Sequence, residues 1–129
     1  MSNKVFVGYD TREDIAFQVC EHSIKRYNQN IDVLPLIQHD LRQQKMYWRE
    51  LDKLASTEFT FTRFLVPHLM NFKGWALFID SDIIFLDDVD NLFALANDNF
   101  AVMCVKHEYK PKPGLKMDGQ VQTVYPRKN

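Results

Sequence analysis

A chain of 129 residues with 46% hydrophobic and 26% charged residues can bury roughly two thirds of its unfolded surface in one core, which excludes a disordered or low-complexity class. Its net charge of −1, pI near 6.4 and lack of a basic helix or aromatic–basic repeat argue against a nucleic-acid binder. No apolar run approaches the roughly 18 residues of a membrane span, and Met1-Ser2-Asn3-Lys4 leads directly into a strand rather than a signal peptide, so a cytoplasmic setting is expected.

Lys4-Val5-Phe6-Val7-Gly8-Tyr9 reads as a first strand, and Asp10 to Asp14 turn it into a helix, with Thr11 and Asp14 at capping-box spacing. Ala16, Cys20, Ile24 and Tyr27 repeat on one helical face, flanked by Phe17 and Val19. Residues 31–37 give a second strand, in which Pro35 points to an edge or irregular position. The following charged segment carries Tyr47, Trp48, Leu51, Leu54 and Ala55 on one side and fits either a helix or an irregular excursion. Ser56 and Thr57 are expected to open a helix that buries Phe61, Phe64, Leu65, Leu69 and Phe72, with Pro67 kinking it. Trp75 to Ile79 form a continuous apolar run ended by Asp80, the mark of a strand buried on both faces. A short acid-started helix over 87–95 and a buried strand over 100–105 complete the pattern.

Strands alternating with helices predict an α/β fold: a mostly parallel sheet with helices on both faces. In such sheets ligands lie beyond the carboxyl ends of the strands, where Tyr9, Asp10, Asp80, Asp82 and Lys106 are expected to emerge together. Cys20 and Cys104 each sit in an apolar segment and read as small buried hydrophobes. His22, His39, His68 and His107 share no metal-ligand spacing. Residues 106–129 carry six basic side chains against two acidic ones, a net of +4 that leaves −5 for the preceding 105. With Pro111, Pro113, Gly114, Gly119 and Pro126, this end reads as a polar loop or lid.

Phe78-Ile79-Asp80-Ser81-Asp82 carries the chemistry. Residues two apart in extended chain share a side, so Asp80 and Asp82 present hard oxygen ligands together while Ser81 points away. That pair suits Mg²⁺ or Mn²⁺, which takes one or two protein carboxylates and completes its octahedron with phosphates and water. The alternative is two acids that merely end a strand and start a turn. The four glycines form neither a Gly-x-Gly-x-x-Gly turn nor a Walker loop. Asp10, Glu13 and Asp14 at the first strand-to-helix turn would instead repel bare phosphate. A bound diphosphate must therefore be held by a metal on Asp80 and Asp82 and by cations such as Arg63 or the lysines of the basic end.

These stretches, in order, resemble the bacterial and phage glycosyltransferases of the GT-A fold, the nucleotide-sugar-dependent class that includes family-8-like galactosyl- and glucosyltransferases. The likeness covers the whole chain: Val5 to Asp10, Ser56 to Pro67, Phe78 to Asp82, Ala101 to His107 and Gly119 to Asn129. It implies a Rossmann-like, nucleotide-sugar-binding half of that fold, with residues 1–129 a single domain forming the donor-binding part of a longer one. It further implies Tyr9, Asp10 and Arg12 lining the base and ribose pocket, Arg63 near the donor, and Asp80, Ser81 and Asp82 at the metal and diphosphate-ribose. Lys106 falls on the same donor side, whereas Gln120 and Gln122 are placed by analogy alone. The family pattern continues past Asn129, where a further metal ligand and much of the acceptor site are expected.

Each residue also has a plainer role open to it. Tyr9 can simply pack at a strand end, Asp10 can cap the helix, Arg63 can be a solvated cation, and Asp87, Asp88 and Asp90 can be helix N-terminal charge rather than a second metal site. The leading reading is metal-dependent sugar transfer from a nucleotide diphosphate sugar to an unknown acceptor. An inactive donor-binding fragment shares its fold. A haloacid-dehalogenase-type phosphatase shares the Asp-x-Asp strand end, with Asp80 as nucleophile and Asp82 as acid/base.

Overall fold

The computed structural model describes residues 2–108, with the backbone of 114–115 and 121–122. The chain divides into two compact units, Met1–Ala96 and Asn97–Asn129. In the first unit β1 (Lys4–Gly8) runs into a short 3₁₀ turn (Thr11–Glu13) and α1 (Asp14–Lys25). Next come β2 (Asp32–Leu36), α2 (Gln38–Gln43), a second 3₁₀ turn (Thr62–Leu65), α3 (Val66–Leu69), β3 (Ala76–Asp80) and α4 (Asp90–Phe93). In the second unit, β4 (Gly114–Leu115) and β5 (Val121–Gln122) pair antiparallel. Among the described residues no helix is long and apolar enough to cross a membrane.

The first unit is the expected parallel α/β layer structure, with strand order β2-β1-β3 and every pair parallel. The central strand explains why. Val5, Phe6, Val7 and Gly8 are all buried, because alternate side chains enter two different cores. Val5 and Val7 join Cys20, Ile24, Val33, Ile79 and Val89 on the face covered by α1 and α4. Phe6 joins Leu36, Leu41, Tyr47 and Met70 on the face covered by α2 and α3. Full burial of each large apolar side chain stabilises the fold by about 1.5–3 kcal/mol. β2 lies at the sheet edge with Pro35 opposite Val7, a position that tolerates the missing N–H.

On α1, Cys20 and Ile24 are buried and Phe17 packs against them, whereas Val19 and Tyr27 are exposed. Val19 lies about 100° round the helix from Cys20, and Tyr27 lies beyond the helix end at Lys25. The excursion after α2 is irregular, with Tyr47 buried and Trp48, Leu51 and Leu54 exposed.

Three expectations are corrected. Residues 56–72 are not one kinked helix: the Thr57 and Thr60 hydroxyls bond each other at 3.0 Å and Thr60 Oγ1 donates to the Thr57 carbonyl, and such side-chain bonds compete with the helical ladder. Pro67 sits in the first turn of α3, where its missing N–H costs nothing, rather than inside a helix. Asn71 and Phe72 then take the left-handed conformation at φ of 52° and 57°, which turns Phe72 outward to 77% exposure; Phe64 is likewise exposed. The capping box is replaced too. Asp10, not Thr11, caps the first turn, and Thr11 and Asp14 bond elsewhere. Finally, residues 100–105 form exposed coil rather than a buried strand, since an apolar run becomes a strand only with a partner and none pairs with it among the described residues. Cys104 is consequently exposed.

Gly8 admits Phe59 against the carboxyl end of β1, and a methyl there would overlap the Phe59 ring. Gly8→Ala is therefore expected to lower stability by about 1–3 kcal/mol through overpacking, read from the urea midpoint. An unchanged midpoint would show that Phe59 yields without cost.

Candidate functional site

Strand register sets the site. Gly8 pairs with Asp80 across β1 and β3, so both strands end at the same level and hand the chain to Tyr9-Asp10 on one side and Ser81-Asp82 on the other. Four of the five residues expected to converge thus emerge at one sheet edge. The fifth, Lys106, belongs to the second unit and lies in exposed coil, so no strand end delivers it.

Asp10 is 1% exposed yet fully partnered. Its Oδ1 accepts from the Arg12 backbone N–H at 3.0 Å and from Arg12 Nε at 2.9 Å. Its Oδ2 accepts from Arg12 Nη2 at 2.5 Å and from the Glu58 N–H at 3.2 Å. Burial pushes the carboxyl pKa up, but the Arg12 guanidinium and the two backbone donors outweigh it and hold the group below the ordinary carboxylate value. Tyr9 donates to Asp14 at 2.6 Å and meets Phe17 edge-on at 5.7 Å between ring centres. The bond to Asp14, reinforced by burial and by the Asp14 charge, raises its phenol pKa.

The β3 end is built differently. Arg63 lies against the Phe78 and Phe59 rings at 5.0 and 5.7 Å, donates from Nε to the Phe59 carbonyl at 3.3 Å and approaches Asp80 at 3.6 Å. Two aromatic faces and a carbonyl hold the guanidinium at the carboxylate, so it is no freely solvated cation. Residues 81–82 form a turn. Ser81 is buried at 2% exposure while Asp80 is half exposed and Asp82 is exposed; the expected exposure pattern is present, but a turn after the last residue of β3 produces it rather than the continued strand that was expected. Among the described residues the buried Ser81 hydroxyl has no hydrogen-bond partner, and neither has that of Thr62 in the turn preceding Arg63.

The chain leaving Asp82 runs to α1. Burial first, then the Asp82 charge, pushes the Cys20 thiol up to about 11. The segment beyond is pinned to the same helix, because Ser23 Oγ donates to the Cys20 carbonyl at 2.7 Å and accepts the Phe85 N–H at 3.0 Å. The Asp87/Asp88/Asp90 cluster has the structural role: Asp88 accepts the Asp90 N–H at 2.9 Å, and Asn28 bridges Asp88 and Asp90.

No cluster of three His, Cys, Asp or Glu side chains suited to a metal occurs among the described residues. Two accessible carboxylates match a cation that takes the rest of its shell from phosphate and water. Beside the β1 turn, Arg12, Gln38, Arg42, Glu50, Thr57 and Glu58 help to line a pocket of about 140 Å³, well below the roughly 300–1,000 Å³ of sites that enclose a whole organic ligand. The sequence reading missed Glu58: it lies inside the Ser56–Pro67 stretch, but its bonds to Thr11 cross 47 residues and leave no local signature.

A sequence model of glycosyl transferase family 8 matches residues 4–127. The chain belongs to glycosyl transferase family 8. It is also 56% identical over 127 residues to the protein named Protein CDI of Arabidopsis thaliana, an alignment covering 98% of this chain and 49% of that relative. The chain thus spans about half the length of the curated relative it matches. No solved structure matches it. Family 8 membership bears out the resemblance, and it gives the phosphatase alternative no support.

Because the folded Asp10 carboxyl has the lower pKa, its contribution to stability is complete above the unfolded value near pH 4 and is lost as pH falls through the folded one. Asp10→Asn is expected to destabilise the fold at neutral pH and to flatten the acid slope of unfolding free energy below about pH 4. Urea titrations across that range check this; a slope as steep as the parent's would assign it to other carboxylates.

Proposed function

We propose that this family 8 chain is the donor-binding part of a glycosyltransferase that moves a sugar from a nucleotide diphosphate sugar to an acceptor. The observation that carries this reading is the register that sets Asp80-Ser81-Asp82 level with the Tyr9-to-Arg12 turn at the carboxyl edge of a parallel sheet. In sheets of this kind that edge is where ligands bind.

Asp80 and Asp82 would hold Mn²⁺ or Mg²⁺, which when bound neutralises the charge of the departing diphosphate. The remaining roles fall to the chain's own groups. Arg63, held on Phe59 and Phe78 beside Asp80, orients that carboxylate and adds positive charge where negative charge accumulates. Tyr9, fixed by Asp14 and Phe17, offers a ring face and a phenol to the nucleoside. Asp10 already accepts four hydrogen bonds, so it serves by shaping the turn that presents Tyr9 and Arg12. Ser81, with its hydroxyl turned inward, sets the spacing of the two aspartates and leaves its backbone at the edge.

Calorimetric titration with UDP, GDP, ADP and CDP, each with Mn²⁺, with Mg²⁺ and with chelator, tests the reading. One nucleotide should bind with either metal and lose binding in chelator. Asp82→Asn should weaken it at least tenfold, about 1.4 kcal/mol, with folding barely changed. Equal affinity in chelator and metal, or no binding by a folded chain, would remove the metal-dependent donor site. Phosphate trapped covalently on Asp80 would restore the phosphatase reading.

A further inference from the structure

The β1 turn and the segment that carries Arg63 are joined by a reciprocal clasp. Asp10 Oδ2 accepts the Glu58 backbone N–H. In return Glu58 Oε2 accepts the Thr11 backbone N–H at 3.0 Å, and Glu58 Oε1 accepts the Thr11 hydroxyl at 2.7 Å. The first N–H groups of a helical turn have no partner inside it. Here Asp10 takes that of Arg12 and Glu58 takes that of Thr11. The clasp is also anchored. Gln38 of α2 donates to the Glu58 carbonyl at 2.9 Å, and the next carbonyl, that of Phe59, receives Arg63 Nε.

We infer that Glu58 is a positioning residue for the donor site: its carboxylate fixes the distance between the Tyr9-to-Arg12 turn and the Arg63–Asp80 pair, and so preorganises the two sides of the cleft. This rests on the donor-site reading above. Two features favour positioning over a direct role. Both carboxylate oxygens are already committed to Thr11, and an added negative charge beside a diphosphate would oppose binding rather than assist it. Charge-assisted hydrogen bonds to a carboxylate are stronger than neutral ones, and two of them converge on the single residue Thr11.

The test uses the nucleoside diphosphate, among UDP, GDP, ADP and CDP, that the parent binds in Mn²⁺, together with amide exchange at Thr11. Glu58→Ala should weaken Kd about tenfold and speed exchange of the Thr11 N–H, while Glu58→Gln, which can still accept the N–H and donate to the hydroxyl, should stay within about threefold of the parent. Thr11→Val, which removes only the hydroxyl arm, repeats the test should Glu58→Ala fail to fold, with a loss of about threefold expected. No binding by the parent overturns both the donor reading and this inference. Parental binding with unchanged Kd in Glu58→Ala, or in Thr11→Val when that variant stands in, overturns the inference alone. So does weaker binding with Thr11 exchange unaltered in Glu58→Ala, or a Glu58→Gln loss as large as that of Glu58→Ala.

Discussion

A buried carboxylate at the end of the central strand governs this structure. Removing the Asp10 charge from water without partners would be prohibitive, so the chain around it is obliged to supply donors. Arg12 supplies three of them and the Glu58 backbone the fourth. Meeting that demand fixes the path of the β1 turn and draws in a segment 48 residues later in sequence. The same segment packs Phe59 onto Gly8 and presents Arg63 to Asp80. One electrostatic requirement at β1 is thereby transmitted to the end of β3.

The two faces of the sheet divide the remaining work. The α1 face holds the chain leaving Asp82, through Ser23 and Phe85, and Cys20 and Ile24 of the same helix pack into its apolar core. On the other face, α2 and the irregular segment after it hold Glu58 and Arg63. Asp82 thus follows β3 at that edge, and Arg63 reaches Asp80 there from the α2 layer. A parallel sheet with helices on both faces suits such a site, because strand register aligns the ends while the layers bring different chemistry to them.

Much of this was legible in the sequence, and the reason lies in which signals are local. Val5 to Val7 and Trp75 to Ile79 are short apolar runs of strand length bounded by turn residues, so both strands and the aspartates after the second could be placed from sequence. Pro35 pointed to an edge or an irregular position, where a missing N–H is harmless, and β2 is an edge strand. The 56–72 segment misled, since its aromatic spacing is helical while Thr57 and Thr60 close on each other and Asn71-Phe72 adopts positive φ. Residues 100–105 misled for the opposite reason: strand-like composition is not enough without a neighbouring strand. Asp10 was expected to line a ligand pocket or to cap the helix, and the cap is visible in its bonds. Glu58 was illegible because its partner is distant in sequence and its own neighbourhood is unremarkable.

The proposed function requires the β1 turn and the β3 end to form one metal-dependent nucleotide cleft. The most direct measurement is paramagnetic broadening of backbone amide resonances by substoichiometric Mn²⁺ in the presence of the nucleoside diphosphate. Amides of Asp80 to Ile83 and of Tyr9 to Arg12 should broaden together and recover when Mg²⁺ replaces Mn²⁺. Broadening centred on Asp87 to Asp90, or at Asp80 to Ile83 with the Tyr9 turn untouched, would contradict it.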